Sequence, residues 1–210
     1  DDFSRIFVLN GFAGTGKTTL IAALVAALKE LRIKPVLLAP TGRAAKVLAR
    51  YCGEQALTIH KRIYRQRTNA DYESKFSLDF NREQGAVFIV DEASMLSDST
   101  GDGALFGSGS LLEDLVSYVR SGRGCRLILV GDSAQLPPVG CDFSPALDPA
   151  TVSRYGEVVY GLMDEVVRQQ MQSGILFNAT LVRCMLENRI YEIPKFEMDY
   201  PDFESVEGGD

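Results

Sequence analysis

Eight consecutive residues, Gly11-Phe12-Ala13-Gly14-Thr15-Gly16-Lys17-Thr18, carry the most specific chemistry in the chain. They fit the pattern G-x-x-x-x-G-K-[ST], directly after a short apolar run and directly before a segment of helical periodicity, the context a phosphate-binding loop requires. Glycines let backbone N–H groups turn inward around phosphate oxygens, and the following helix N-terminus adds positive potential. Lys17 is placed to reach the β and γ phosphates of a nucleoside triphosphate such as ATP. Candidate nucleotide contacts are therefore Gly11, Ala13, Gly14, Thr15, Gly16, Lys17, Thr18 and Thr19, with the Thr18 hydroxyl also a candidate ligand of Mg²⁺. An ordinary glycine turn is the alternative reading.

Phe88-Ile89-Val90-Asp91-Glu92 reads as a buried strand ending in two carboxylates. Mg²⁺ takes hard oxygen ligands and keeps several waters, so Asp91 suits it, while Glu92 can orient and deprotonate an attacking water. The same pair of acids could instead form a solvated turn or cap a helix. Another apolar run, Arg126 to Val130, leads into Gly131-Asp132-Ser133-Ala134-Gln135-Leu136-Pro137-Pro138-Val139-Gly140. Gln135 can donate to phosphate or accept from water without a change of charge, and the paired prolines stiffen the chain behind it. A plain surface turn is the competing reading.

These loops need a scaffold that brings strand ends together. Short β-rich runs recur at Ile6–Leu9, Pro35–Ala39, Ala86–Val90, Arg126–Val130 and Glu157–Tyr160, most of them separated by helical patterns. The clearest helix is predicted over Thr18–Leu31, where Ile21, Leu24, Val25, Leu28 and Leu31 form a stripe; others are predicted at Arg43–Tyr51, Ser110–Ser121 and Ser173–Glu187. Such alternation predicts an α/β fold with a doubly wound, mainly parallel sheet whose ligands bind beyond the carboxyl ends of its strands. Two stretches break the pattern. Ile63–Gln84 reads as an inserted hairpin, with Phe76, Leu78 and Phe80 alternating with polar residues, and Ser97–Gly109, rich in Gly, Ser and Asp, reads as a loop.

At 210 residues and 46% apolar composition the chain can bury one core of normal size. No uninterrupted apolar run is long enough to cross a bilayer, and Asp1-Asp2 does not open a secretory signal, so no membrane partner and a cytoplasmic location are expected. Four scattered cysteines and one histidine outline neither a zinc site nor a disulfide framework. The net charge of −6 conceals an uneven distribution. Residues 43–67 hold seven bases against Glu54, whereas residues 192–210 hold seven acids against Lys195.

Taken together, the motifs resemble those of the RecD-like branch of superfamily 1 helicases over about residues 6–190. Gly11–Thr19 looks like motif I, Ala39–Ala45 like motif Ia, Thr58–Lys61 like motif Ib, Asp91–Ser94 like motif II, Gly131–Gly140 like motif III and Glu165–Gln169 like motif IV. The resemblance implies a RecA-like P-loop NTPase fold and ATP-driven movement on single-stranded DNA, 5′ to 3′, with unwinding of DNA at a duplex junction. It places Pro40, Thr41, Gly42, Arg43, Thr58, His60 and Lys61 on the DNA, where hydroxyls, backbone amides and bases grip phosphates without reading sequence. For Arg43 and Lys61 a solvated helix face, and for His60 a core or capping role, stand as alternatives. Arg168 resembles the motif IV arginine that reaches the γ-phosphate; a surface arginine is its bland alternative. The 63–84 insertion occupies the place of a strand-separating pin, so Tyr72, Phe76 or Phe80 could meet the junction, or could pack on their own sheet.

The resemblance also implies what the chain lacks. Motifs V and VI of a second RecA-like domain and the adenine-reading glutamine motif have no counterpart, so residues 1–190 are expected to be a first motor domain and residues 191–210 an acidic tail leading to the second. The chain by itself is then expected to bind nucleotide weakly and neither to hydrolyse it briskly nor to unwind a duplex. An RNA helicase of the same superfamily, or a nucleotide-dependent switch or scaffold without translocation, stays open beside the DNA reading.

Overall fold

In the computed structural model residues 5–68, 74–98, 106–165 and 173–202 are described. The expected alternation is present: β1 (Ile6–Gly11), α1 (Lys17–Glu30), β2 (Pro35–Ala39), α2 (Gly42–Cys52), β3 (Ala56–Thr58), α3 (Ile59–Ile63), β4 (Tyr64–Thr68), β5 (Ser74–Leu78), β6 (Val87–Val90), α4 (Leu111–Ser121), β7 (Arg126–Gly131), α5 (Pro149–Val152), β8 (Val158–Met163) and α6 (Gly174–Glu187). Six strands form one sheet in the order β3-β2-β6-β7-β1-β8. Every pairing within it is parallel. The chain falls into two compact units, Asp1–Gly11 with Lys17–Met163, and Phe12–Gly16 with Asp164–Asp210.

Strands β2 and β6 of the first unit's sheet are buried on both faces, which is why they read as continuous apolar runs. Period-two alternation sorts the sheet's side chains into two cores. Leu37, Val87, Ile89 and Val130 pack with Ile21, Val25 and Leu28 of α1. Val36, Leu38, Phe88, Val90, Leu127 and Leu129 face the other way and pack with Leu112, Leu115, Val116 and Val119 of α4. Helix α2 starts where the Thr41 Oγ1 accepts the Ala44 N–H at 3.2 Å, and α3 where the Thr58 Oγ1 accepts the Lys61 N–H at 3.2 Å.

The insertion forms a two-stranded antiparallel hairpin, β4 with β5, pairing Gln66 with Phe76 and Tyr64 with Leu78. Strand β5 stops at Leu78, so Phe80 does not continue the alternation and is 64% exposed. The Asp79 N–H still donates to the Ile63 carbonyl at 2.7 Å in the hairpin register, but Ile63 belongs to α3 and the partner strand ends there. The Phe76 ring lies stacked on Phe106 at 4.5 Å, in a cluster that also holds Tyr64 and His60. Beneath it, the buried Tyr64 hydroxyl donates to Asp114 Oδ2 at 2.6 Å; burial and that bond push the phenol well above its ordinary range.

Glu83 ties the hairpin base to the sheet. Its carboxylate accepts from Arg62 Nη2 at 2.6 Å and from Lys34 Nζ at 2.8 Å. Burial alone would raise its pKa, but the two hydrogen bonds and charges outweigh burial and hold it below the ordinary carboxylate range. A depressed folded-state pKa supplies stability that is present above the unfolded value and lost as pH falls through the folded one. Glu83→Gln is therefore expected to cost about 1 to 2 kcal/mol at neutral pH. In urea unfolding the gap between variant and wild type should close below the carboxylate range; a gap of constant size down to that acidity would refute the assignment.

In the second unit, α6 is capped by Ser173, whose Oγ accepts the Leu176 N–H at 3.2 Å, and Asp202 Oδ1 accepts the Gly174 N–H at 2.7 Å. The acidic segment is fixed to α6 by Asn178, which exchanges two 2.8 Å bonds with the Glu197 backbone. In the same unit the Arg183 guanidinium lies 3.7 Å over the Phe12 ring.

Candidate functional site

The Phe12–Gly16 segment has the backbone its glycines foretold. Gly14 and Gly16 adopt φ of 80° and 86°, in the left-handed region that favours glycine. Thr15 is buried, and its hydroxyl donates to the Phe12 carbonyl at 2.8 Å.

Within the first unit, Lys17 opens α1, and its Nζ donates to the Gly11 carbonyl at 2.6 Å. The same ammonium stands 3.9 Å from Asp132 Oδ2, a carboxylate that is 4% exposed. An open cleft of about 380 Å³ lies at the carboxyl ends of the strands, lined by Thr18 of α1, Asp91 and Glu92 after β6, and Gln135 after β7. Thr41, Arg43, Ala44 and Val47, at the start of α2, and Met95 complete the lining. Residues from four distant parts of the chain thus share one small space.

Asp91 sits at the inner end of the cleft. Burial raises its carboxyl above the ordinary range; the Glu92 N–H, which it accepts at 3.0 Å, and the Lys17 charge pull it back down, while the Glu92 charge pushes it up. Glu92 has φ 56° and ψ 38°, left-handed values that a non-glycine side chain adopts at a cost of about 1 to 3 kcal/mol. This kink swings the chain from β6 into the single turn Ala93–Met95. Gly131, ending β7, is what lets that turn approach: a Cβ there would meet the Ser94 nitrogen and Leu147 Cδ1, both at 2.9 Å.

Of the sequence candidates, Thr18, Thr41, Arg43, Asp91, Glu92 and Gln135 meet in the cleft. Lys17 immediately precedes the cleft-lining Thr18. Thr19 and Gly42 are exposed, Pro40 is half-buried, and Gly11 is buried at the end of β1. Thr58 caps the N-terminus of α3, its Oγ1 accepting the Lys61 N–H at 3.2 Å. His60, half-buried, sets its ring edge-on to Phe106 at 5.0 Å, and burial lowers its pKa; this is the packing alternative. Tyr72 and Arg168 lie outside the described residues. Asn10 and Met95 were not singled out, and Asp132 was given no role. The signal for Asn10 was legible, since an amide at the end of an apolar strand must find partners when buried.

A family described as AAA domain matches residues 2–179. The chain belongs to that family. This AAA domain is 33% identical over 135 residues to the ATP-dependent RecD2 DNA helicase of Deinococcus radiodurans, covering 64% of the chain and 16% of that protein. It is 33% identical over 201 residues to the RecBCD enzyme subunit RecD of Mycobacterium tuberculosis, with 78% and 32% covered. It is 34% identical over 136 residues to the ATP-dependent DNA helicase dda of Enterobacteria phage T4, with 62% and 28% covered. The AAA domain thus spans between about a sixth and a third of the length of these relatives. The RecD-like resemblance carried by the six motifs is borne out, as is the RecA-like α/β fold it implied. Family membership implies nucleotide binding. Among the described residues of this AAA domain no helix is long and apolar enough to cross a membrane.

Proposed function

We propose that the chain is the first motor domain of an ATP-driven helicase that moves 5′ to 3′ on single-stranded DNA and unwinds the duplex ahead of it. The observation that carries this reading is the shared cleft, in which a phosphate-loop threonine, two acids and an amide stand beside Thr41 and Arg43 of the basic segment. In this reading the amides of Gly11–Thr18 hold the phosphates and Lys17 neutralises the β and γ oxygens. Glu92 takes the proton of the attacking water, Gln135 reports the γ-phosphate, and Arg168 supplies a further cation to the developing charge.

The donor set fits Mg²⁺. Thr18 and Asp91 offer hard oxygens in one cleft, and no cluster of three or more His, Cys, Asp or Glu side chains capable of holding a metal occurs among the described residues. Thr18 and Asp91 would hold an ion that arrives with the triphosphate and keeps several waters, and that would supply positive charge to the phosphates when bound.

Pro40, Thr41, Gly42, Arg43, Thr58 and Lys61 would grip the DNA strand by its phosphates, with His60, packed among aromatics, holding the Thr58–Lys61 turn in place. Phe80, exposed beyond the hairpin, is the described aromatic best placed to meet a duplex junction, since the Phe76 ring is taken up by Phe106. Because the matched stretch covers only 16% and 32% of these relatives, a second RecA-like domain and the tail's path to it belong to the same proposal.

The test is ATP hydrolysis by the full-length protein with matched single-stranded DNA and RNA, and strand separation on duplexes with a 5′ or 3′ overhang. DNA should stimulate hydrolysis more than RNA, and the 5′ overhang should be required. Stimulation by RNA instead would assign an RNA helicase, and hydrolysis indifferent to either polymer would make the domain a nucleotide switch.

A further inference from the structure

Strand β1 ends in Asn10 and Gly11, which hold the Ser133 turn and the Lys17 ammonium respectively. Gly11 accepts from Lys17 through its carbonyl at 2.6 Å. Asn10, beside it, is 5% exposed and has its amide saturated: Nδ2 donates to Ser133 Oγ at 2.7 Å and to the Tyr160 hydroxyl at 3.0 Å, while Oδ1 accepts the Ser133 N–H at 3.0 Å. Since β1 lies between β7 and β8, that single side chain bridges the loop after β7 to the neighbouring edge strand.

Ser133 is the second residue of a turn closed by the Gln135 N–H on the Asp132 carbonyl at 3.2 Å. Its third residue is held by Asp132 Oδ1, which accepts the Ala134 N–H at 2.9 Å. Asp132 Oδ2, in turn, faces Lys17 at 3.9 Å. The turn that presents Gln135 to the cleft is thus fastened at Ser133 by Asn10 and at Ala134 by Asp132. Ser133 and Gln135 are exposed, so this stretch has little burial to order it and depends on those bonds.

We propose that Asn10 is a positioning residue for ATP hydrolysis, setting the spacing between Lys17 and Gln135 by anchoring the Asp132–Gln135 turn to the strand that also anchors the lysine. The proposal rests on the hydrolytic reading given above and deepens it. Its energetic logic is that of an amide buried with all its partners, which fixes neighbouring groups because every alternative leaves a polar atom unpaired. A small shift of Gln135 would then cost turnover without costing nucleotide affinity, which resides in the loop and Lys17.

The experiment compares wild type, Asn10→Ala, Ser133→Ala, Gln135→Ala and the Asn10→Ala/Gln135→Ala double variant of the full-length protein. Hydrogen exchange over residues 131–136 and DNA-stimulated ATP hydrolysis are measured for each. Asn10→Ala should exchange about tenfold faster at Ser133 or more. Its kcat should fall by about tenfold to a hundredfold with KM little changed. The double variant should be no slower than Gln135→Ala, because both losses act through one group. Ser133→Ala, which removes one acceptor of the Asn10 amide and keeps the Ser133 N–H bond to Oδ1, should show the same pattern in smaller degree. Unchanged exchange in Asn10→Ala, or additive losses in the double variant, would overturn the assignment. If wild type shows no DNA-stimulated hydrolysis while Asn10→Ala still loosens the turn, the hydrolytic reading falls and the anchoring role stands.

Discussion

Lys17→Ala in the full-length protein is expected to abolish ATP turnover while single-stranded DNA binding is largely kept. Removing one preorganised donor from a developing oxyanion costs about a hundredfold to a thousandfold in rate, and a full positive charge at two phosphates is worth at least that. The substitution is not a proxy for unfolding. Lys17 is tied to the Gly11 carbonyl and stands near Asp132, and Asp132 keeps its bond from the Ala134 N–H when the ammonium is gone. Thr41 and Thr58 are seated by their own helix caps, so the residues proposed for the DNA strand do not depend on the lysine. Steady-state hydrolysis with and without DNA, together with a DNA-binding titration and a melting curve, separates these outcomes. DNA-stimulated turnover surviving in a folded Lys17→Ala protein contradicts the proposed site.

Glu92→Gln is expected to remove hydrolysis by about a hundredfold to ten-thousandfold, the range for loss of a general base, with nucleotide binding retained. Two features make this substitution informative. Gln and Glu bear the same strain at φ 56°, so the turn Ala93–Met95 has no new reason to move. The Glu92 charge is also one of the influences that push the Asp91 carboxyl up, so its neutralisation favours ionised Asp91 and leaves the proposed magnesium ligand intact or improved. Equilibrium binding of a magnesium nucleotide alongside single-turnover hydrolysis is the check. A variant that binds less tightly yet turns over normally once saturated would move Glu92 from chemistry to binding.

Strands β1 and β6, which lead to the Lys17 loop and to Glu92, were legible in the sequence. Buried parallel strands announce themselves as apolar runs, and a phosphate loop is defined by local backbone demands that glycine meets wherever it is placed. The three-residue β3 and the five-residue α3 were not legible, because neither is long enough to show a period. Nor was the end of β5 at Leu78: Phe76, Leu78 and Phe80 keep strand spacing, yet the partner strand β4 starts only at Tyr64, because Ile63 belongs to α3. His60 kept two readings in sequence because a histidine carries no signal of its own neighbours; the ring of Phe106, 46 residues further along, supplies the packing one.

What the order of residues alone determined is the chemistry within single segments: a glycine loop able to turn its amides inward, a strand ending in two acids, an amide behind a strand, and an alternation that admits only a parallel sheet. Tertiary structure decided which of these meet. The strand order β3-β2-β6-β7-β1-β8 sets β6, β7 and β1 side by side, and so brings residues some 70 to 120 positions apart into one cleft. It also decided what Asn10 touches, because a side chain at the end of a central strand takes its partners from the strands on either side, and no local pattern records which strands those are.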